Sequence, residues 1–317
     1  MNPTDFVSDL SHFFDIITGK PKMGLTIAGG GCKAFFGLGV GSVLTQAGLP
    51  IRSISGTSAG TAMGLSLFST SPDDLVAEFC DLVRKNPSNF YMSDLVTGKK
   101  PFPHERMYRY IVAKHLNMQK LQSSKIHFVF NALRLPRHLE PDENKMRLTS
   151  FMVRIVNAFR KENANNEKGI YEPLMSKIAE EEGLREVIFT EKELDTPEKI
   201  EDAILASSSA PPVTSVQKLF DGYYYLDGGI MNNLPVRHIA KEVDFVIAVY
   251  YRKMTRIFFE KSLLEREKPL LQKIYYAYPD GSLPVNTWDY TDPDGVQKTY
   301  DEGRRMGEQI VRLMKLF

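Results

Sequence analysis

The chain has 317 residues, 43% of them hydrophobic and 25% charged, which is room for one large α/β domain or two ordinary ones with a sizeable core. The 40 basic and 39 acidic residues leave a net charge of +1, so no overall field draws the molecule to nucleic acid. Two cysteines, Cys32 and Cys80, exclude a disulfide framework and are expected as free thiols in a reducing compartment.

The first twenty residues lack a basic start, an unbroken apolar run and a cleavage site of small residues, so they do not read as a secretory signal. Phe6, Leu10, Phe13, Phe14 and Ile17 recur instead at helical spacing. No run approaches the ~20 apolar residues of a membrane span. The expectation is a soluble, cytoplasmic protein whose membrane contact, if any, is peripheral.

Residues 22–28 predict a strand that stops at three glycines, 33–48 a helix closed by Gly48, 51–55 a second strand that breaks at Gly56, and 59–68 a second helix. That succession is a βαβ unit, whose parallel pair implies a sheet covered on both faces. A capped amphipathic helix follows at 72–85 and a strand at 125–135. Thr196 caps a helix over 196–208 with Pro197 in its first turn. Strands are predicted at 223–227 and 244–251, a helix at 233–244, and a closing amphipathic helix over 299–317. No repeat or low-complexity linker interrupts the chain. The fold class expected is α/β with a mainly parallel central sheet flanked by helices. It forms one domain over 1–317, with core motifs at 22–252 and a lid or cover insertion at 137–185.

Within that insertion Leu148, Phe151, Met152, Ile155, Val156 and Phe159 share one helical face. Lys145, Arg147, Arg154, Arg160 and Lys161 lie around it. Such a helix either packs on the core behind a solvated charged rim or lies on an anionic membrane surface.

Three stretches carry chemistry. In Gly56-Thr57-Ser58-Ala59-Gly60 a strand turns sharply into a helix. Glycines on both sides of the corner remove Cβ clashes and lift the Ser58 hydroxyl to the positive end of the helix, where a base can activate it. The competing reading makes Ser58 a plain helix cap. Gly29-Gly30-Gly31 follows the first strand and opens a helix, leaving bare N–H groups for a phosphate or an ester oxyanion. Gly29, Gly31 and Ala34 also fit a dinucleotide fingerprint, but the acid it needs near 51–56 is missing, and no Gly-Lys-Ser/Thr follows for a P-loop. Asp227 ends a strand and is released into Gly228-Gly229, from which its carboxylate can point toward Ser58. Asp-Gly pairs at 221, 280 and 294 are ordinary turn signals, without the second glycine.

With "ASSSAPP" from Ala206 to Pro212, these motifs stand in an order that resembles the patatin-like phospholipase family. "NNLPV" at 232–236 strengthens the likeness, which spans residues 29 to 236. The resemblance implies a three-layer α/β/α fold and a serine acyl hydrolase of phospholipase A or lysophospholipase type. It implies a Ser58–Asp227 dyad, with an oxyanion hole at Gly29, Gly30 and Gly31 and Lys33 as the basic residue beside it. A lipid or phospholipid is the implied substrate, and neither cofactor nor metal is called for. The family's last loop glycine is replaced by Ala34, which leaves open a non-catalytic lipid- or phosphate-binding protein on the same scaffold. A triad is the other alternative, and His238 is the one histidine after Asp227; His12, His104, His115, His127 and His138 lie in no motif. Residues 290–301 mimic a calcium loop, but Tyr290 and Pro293 leave its ligand set incomplete.

Overall fold

A computed structural model describes residues 21–97, 100–170, 172–252 and 274–314. The helical spacing at 6–17, His12 and the last three residues of the closing helix lie outside this range. The strands are β1 (Met23–Ile27), β2 (Ile51–Gly56), β3 (His127–Arg134), β4 (Arg185–Thr190), β5 (Gln217–Lys218), β6 (Tyr224–Asp227), β7 (Phe245–Val249) and β8 (Ile274–Ala277). The helices are α1 (Ala34–Gln46), α2 (Ala59–Ser69), α3 (Pro72–Arg84), α4 (Met92–Val96), α5 (His104–His115), α6 (Met118–Ser124), α7 (Pro141–Glu167), α8 (Leu174–Glu181), α9 (Pro197–Ser207) and α10 (Pro293–Met314).

All strands join one mixed sheet in the order β5-β6-β3-β2-β1-β7-β8, with β4 on the free edge of β3. From β3 to β8 it is parallel; β4, β5 and β6 are antiparallel to their neighbours. Every residue of β1 and β7 is buried, as expected of strands covered on both faces. Helices α1, α2, α3 and α10 pack over one face around Leu25, Phe35, Phe36 and Tyr300. On the other face, α7 and α8 cover Leu133 and Leu226, while Ile239 and Val243 cover β7. The small residues of α1 find their use here: a Cβ on Gly39 would meet the Tyr300 carbonyl oxygen at 2.2 Å, so α10 lies flush against it.

The register along β3 positions the site. β4 occupies one edge of β3 over Val129–Arg134, so β2 and β6 must share the other. β2 lies opposite 127–130 and β6 opposite 132–134, running in opposite directions. Their C-terminal ends therefore face each other. Gly56 stands opposite Phe130 and Asp227 opposite Ala132, two residues or about 7 Å apart along the strand.

The segment 233–244 is not the predicted helix. It makes one 3-10 turn, Val236–His238, and further i→i+3 bonds such as Glu242 N–H to Ile239 C=O. Its apolar residues do follow helical spacing, and Val236, Ile239, Ala240 and Val243 are buried. Yet Pro235 fixes its start, and the Asp244 N–H is already held by Lys22 C=O at 2.9 Å to begin β7, so a regular helix has no length to develop. The capping expectations hold: Ser71 accepts from Asp74 N–H ahead of α3, and Thr196 from Lys199 N–H ahead of α9.

Candidate functional site

Ser58 sits between β2 and α2 with φ 54° and ψ −133°, a left-handed conformation that costs a residue with a Cβ on the order of 1–3 kcal/mol. The surroundings hold it there. Its N–H donates to Ser207 Oγ at 2.8 Å and its C=O accepts from Thr61 N–H at 3.0 Å. Gly60 lets the first turn of α2 press onto β1, where an added Cβ would lie 2.2 Å from the Ile27 carbonyl oxygen. Ser58 is 8% exposed.

The glycine loop leaves β1 and enters a 3-10 turn, Gly31–Lys33, that runs into α1. Gly31 has φ 54° and packs on the Thr287 carbonyl, which accepts from Cys32 N–H at 3.0 Å. At Gly30 the missing Cβ makes room for the Tyr251 ring, whose hydroxyl donates to Ala28 C=O. Asn233 clasps Gly29 by both ends: its Oδ1 accepts from the Gly29 N–H at 3.0 Å and its Nδ2 donates to the Gly29 C=O at 3.1 Å. The Gly29 N–H is thus occupied, whereas those of Gly30 and Gly31 meet no acceptor among the described residues. Ala34, the departure from the family pattern, has φ −65° and ψ −15°, ordinary helical values for an alanine.

The Asp227 carboxylate accepts from Gly229 N–H at 2.7 Å and lies near enough to the Ser58 hydroxyl to feel it. It borders the cleft but is hemmed in by protein. That burial pushes its carboxyl up to about 6, against the opposing pull of the Ser58 hydroxyl and the Gly229 N–H. Two of the three serines of "ASSSAPP" serve the two sides. Ser207 holds Ser58, and the Ser209 C=O accepts from the Asp227 N–H at 2.8 Å.

Ser58, Asp227 and the glycine loop line a cleft of about 1020 Å³. Its far wall is α7, through Met152, Ile155, Val156 and Phe159. The predicted apolar face of this helix is therefore divided. Leu148, Phe151, Met152 and Ile155 are buried, while Val156 and Phe159 remain 38% and 46% exposed. Lys33 and Arg252 line the same cleft. Burial, and then the charge of Arg252, lower the Lys33 ammonium below its usual range.

A profile for patatin-like phospholipases matches residues 25–240, more than half of the chain, with Ser58, Asp227 and the glycine loop inside the match. The chain belongs to the patatin-like phospholipase family. Among relatives, a patatin-like phospholipase domain-containing protein of Caenorhabditis elegans, ZK370.4, is 38% identical over 71 residues. That match covers 22% of this chain and spans only 5% of the worm protein's length. The crystal structure of VipD from Legionella pneumophila aligns with 92% of this chain and 67% of its own, at 15% identity and a TM-score of 0.38.

In this patatin-like chain the five described histidines are engaged away from Ser58 and Asp227. His104 donates to Trp288 C=O, His115 pairs with Thr70, His127 lies between Glu191 and Glu242, His138 contacts Glu182, and His238 contacts Glu186. In the calcium-loop lookalike, Asp292 accepts from Gly295 N–H at 2.8 Å in the first turn of α10. Cys32 and Cys80 are buried and unpaired. No helix among the described residues is long and apolar enough to cross a membrane. Asn131, Glu186, Ser207, Asn233 and Tyr251 carry structural weight at the site that motif reading did not assign. Asn131 was visible as the lone polar residue in the apolar run 128–133.

Proposed function

We propose that this protein is a serine acyl hydrolase of phospholipase A or lysophospholipase type that cleaves fatty acyl esters of lipids. What supports the reading is the placement of Ser58 and Asp227 together in the lining of one cleft with an apolar wall, at the abutting ends of β2 and β6. Asp227 takes the hydroxyl proton as Ser58 Oγ attacks the ester carbonyl. The N–H groups of Gly30 and Gly31 face the oxyanion, with Gly29 fixing the loop that carries them; each such donor is worth about 2.7–4 kcal/mol of barrier. The tetrahedral intermediate collapses when the leaving alkoxide takes the proton from Asp227. Water, deprotonated by the same carboxylate, then attacks the acyl-enzyme and releases the fatty acid and free Ser58.

A raised aspartate suits this work, because a base nearer neutrality accepts a proton more readily than an ordinary carboxylate. The apolar residues of α7 give the acyl chain a wall, and Lys33 and Arg252 attract an anionic headgroup. The same helix is the side we assign to peripheral membrane contact, through Val153, Val156 and Phe159. Only part of its basic rim is free for lipid phosphates, since Arg147 and Arg154 are paired with Glu182. Ala34 leaves a binder without turnover as the alternative; its ordinary helical backbone supports the catalytic reading.

A fluorophosphonate probe tests the reading. Ser58 is expected to be the labelled residue, and Ser58→Ala to lose at least about 10⁴-fold in hydrolysis of a short acyl ester with unchanged thermal unfolding. A wild-type protein that resists the probe, or an alanine variant that retains activity, sinks it.

A further inference from the structure

We infer that Asn131, oriented by Glu186, is a positioning residue that sets the separation between Ser58 and Asp227. The inference rests on the acyl-hydrolase reading and adds to it a residue belonging to none of the four motifs. Asn131 lies on β3 between Phe130, which faces the end of β2, and Ala132, which faces the end of β6. It is fully buried. Its Oδ1 accepts from the Thr57 hydroxyl at 2.6 Å, one residue before Ser58. Its backbone and side chain lie against the turn that carries Asp227: a Cβ on Gly228 would fall 2.6 Å from Asn131 Oδ1 and 2.7 Å from its carbonyl oxygen. One side chain therefore touches the two corners that must meet.

The amide has a single allowed orientation. Its Nδ2 donates to Glu186 Oε1 at 3.0 Å and to the Asn232 C=O at 2.8 Å. A flipped amide would set its oxygen against both acceptors and its NH2 group against the Thr57 proton. Asn232 belongs to the Asp227 turn, where its N–H donates to Gly228 C=O at 2.9 Å, and its C=O also accepts from the Thr57 hydroxyl at 3.1 Å. Corner, spacer and turn thus form one closed network. Glu186 closes it from β4, accepting also from Asn232 Nδ2 at 2.8 Å and pairing with Arg237. Burial alone would raise the Glu186 carboxyl, but His238, Arg237 and Asn131 outweigh it and hold the group to about 2. Glu186 is therefore a carboxylate at working pH and a permanent acceptor for the Asn131 amide.

The test follows the rate of fluorophosphonate labelling at Ser58 together with kcat and KM for a short acyl ester. A misplaced reacting group costs about 10²-fold, so Asn131→Leu, close in volume but unable to bond, is expected to slow labelling and kcat by that factor while KM changes less than about 2-fold. Thr57→Val cuts the same link from the other side and is expected to lose roughly 10-fold; it serves alone if Asn131→Leu does not fold. Glu186→Ala is expected to lose roughly 10-fold as well, whereas Glu186→Gln, which keeps an oxygen for Asn131, stays within about 3-fold of wild type. Wild-type labelling rates in folded Asn131→Leu or Thr57→Val overturn the inference. So does an equal loss in Glu186→Gln and Glu186→Ala. Failure of the wild-type protein to label strikes the acyl-hydrolase reading itself and is thereby told apart.

Discussion

The two walls of the cleft are built on opposite plans. On the sheet side, around Ser58 and Asp227, main-chain groups and side chains are bonded, and glycines let the chain segments touch. On the helix side, α7 buries Leu148 and Phe151 but leaves Val156 and Phe159 facing open space. A rigid floor suits proton transfer, where a shift of an ångström costs orders of magnitude. A partly uncovered roof suits a floppy acyl chain, which needs apolar area more than fixed contacts. The difference teaches that substitutions on the two sides should fail in different currencies, rate and stability on the floor, chain-length preference on the roof.

The sharpest break is at Asp227. Asp227→Asn is expected to cut kcat about 10²–10⁴-fold, as loss of a general base does. In the wild type, kcat/KM should rise with pH through about 6, the value to which burial pushes the carboxyl. The stability effect has the opposite sign. The folded value lies above that of the unfolded chain, so the contribution of Asp227 to stability is complete below about pH 4 and is lost as pH rises through about 6. Denaturant titrations at pH 4 and pH 7 should show this loss in wild type and not in Asp227→Asn. A variant with the wild-type pH slope assigns it to another group.

Next is Gly60→Ala, whose methyl would meet two main-chain oxygens, Ile27 at 2.2 Å and Ala28 at 2.5 Å. Neither can yield without moving β1, so a loss of about 3 kcal/mol or more is expected in urea unfolding. A smaller loss would show that the floor is less rigid than its contacts. The mildest case is Phe159→Ala on α7. Stability should change by less than about 1 kcal/mol, since the ring is 46% exposed, while kcat/KM falls roughly 5-fold for a long-chain ester and stays unchanged for a short one. Equal loss on both esters would remove α7 from the acyl path.

The legible part of the molecule was the part written in short-range chemistry. Glycines around Ser58 and after Asp227 announce a tight corner and a turn, and Thr196-Pro197 announces a helix start, because each depends on a few adjacent residues. The meeting of β2 and β6 end to end was not legible, since it follows from which edge of β3 each strand takes. Asn131 escaped for the same reason: its role depends on partners at 57, 186 and 232 that only the register assembles. β4 was hidden because an edge strand with exposed Arg185 and half-buried Glu186 lacks the apolar run of a central one. The helix expected at 233–244 shows the converse, apolar spacing of helical kind in a segment too confined to wind.

The abutting ends of β2 and β6 have a consequence for the protein's synthesis. A growing chain emerges from the ribosome with Ser58 long before Asp227, and the two corners stand together only when β3 carries both β2 and β6 on one edge. If the two act together as proposed, a half-made or clipped chain carries an unarmed hydroxyl. Lipid-cutting power then waits on β6, the sixth of the eight described strands in chain order.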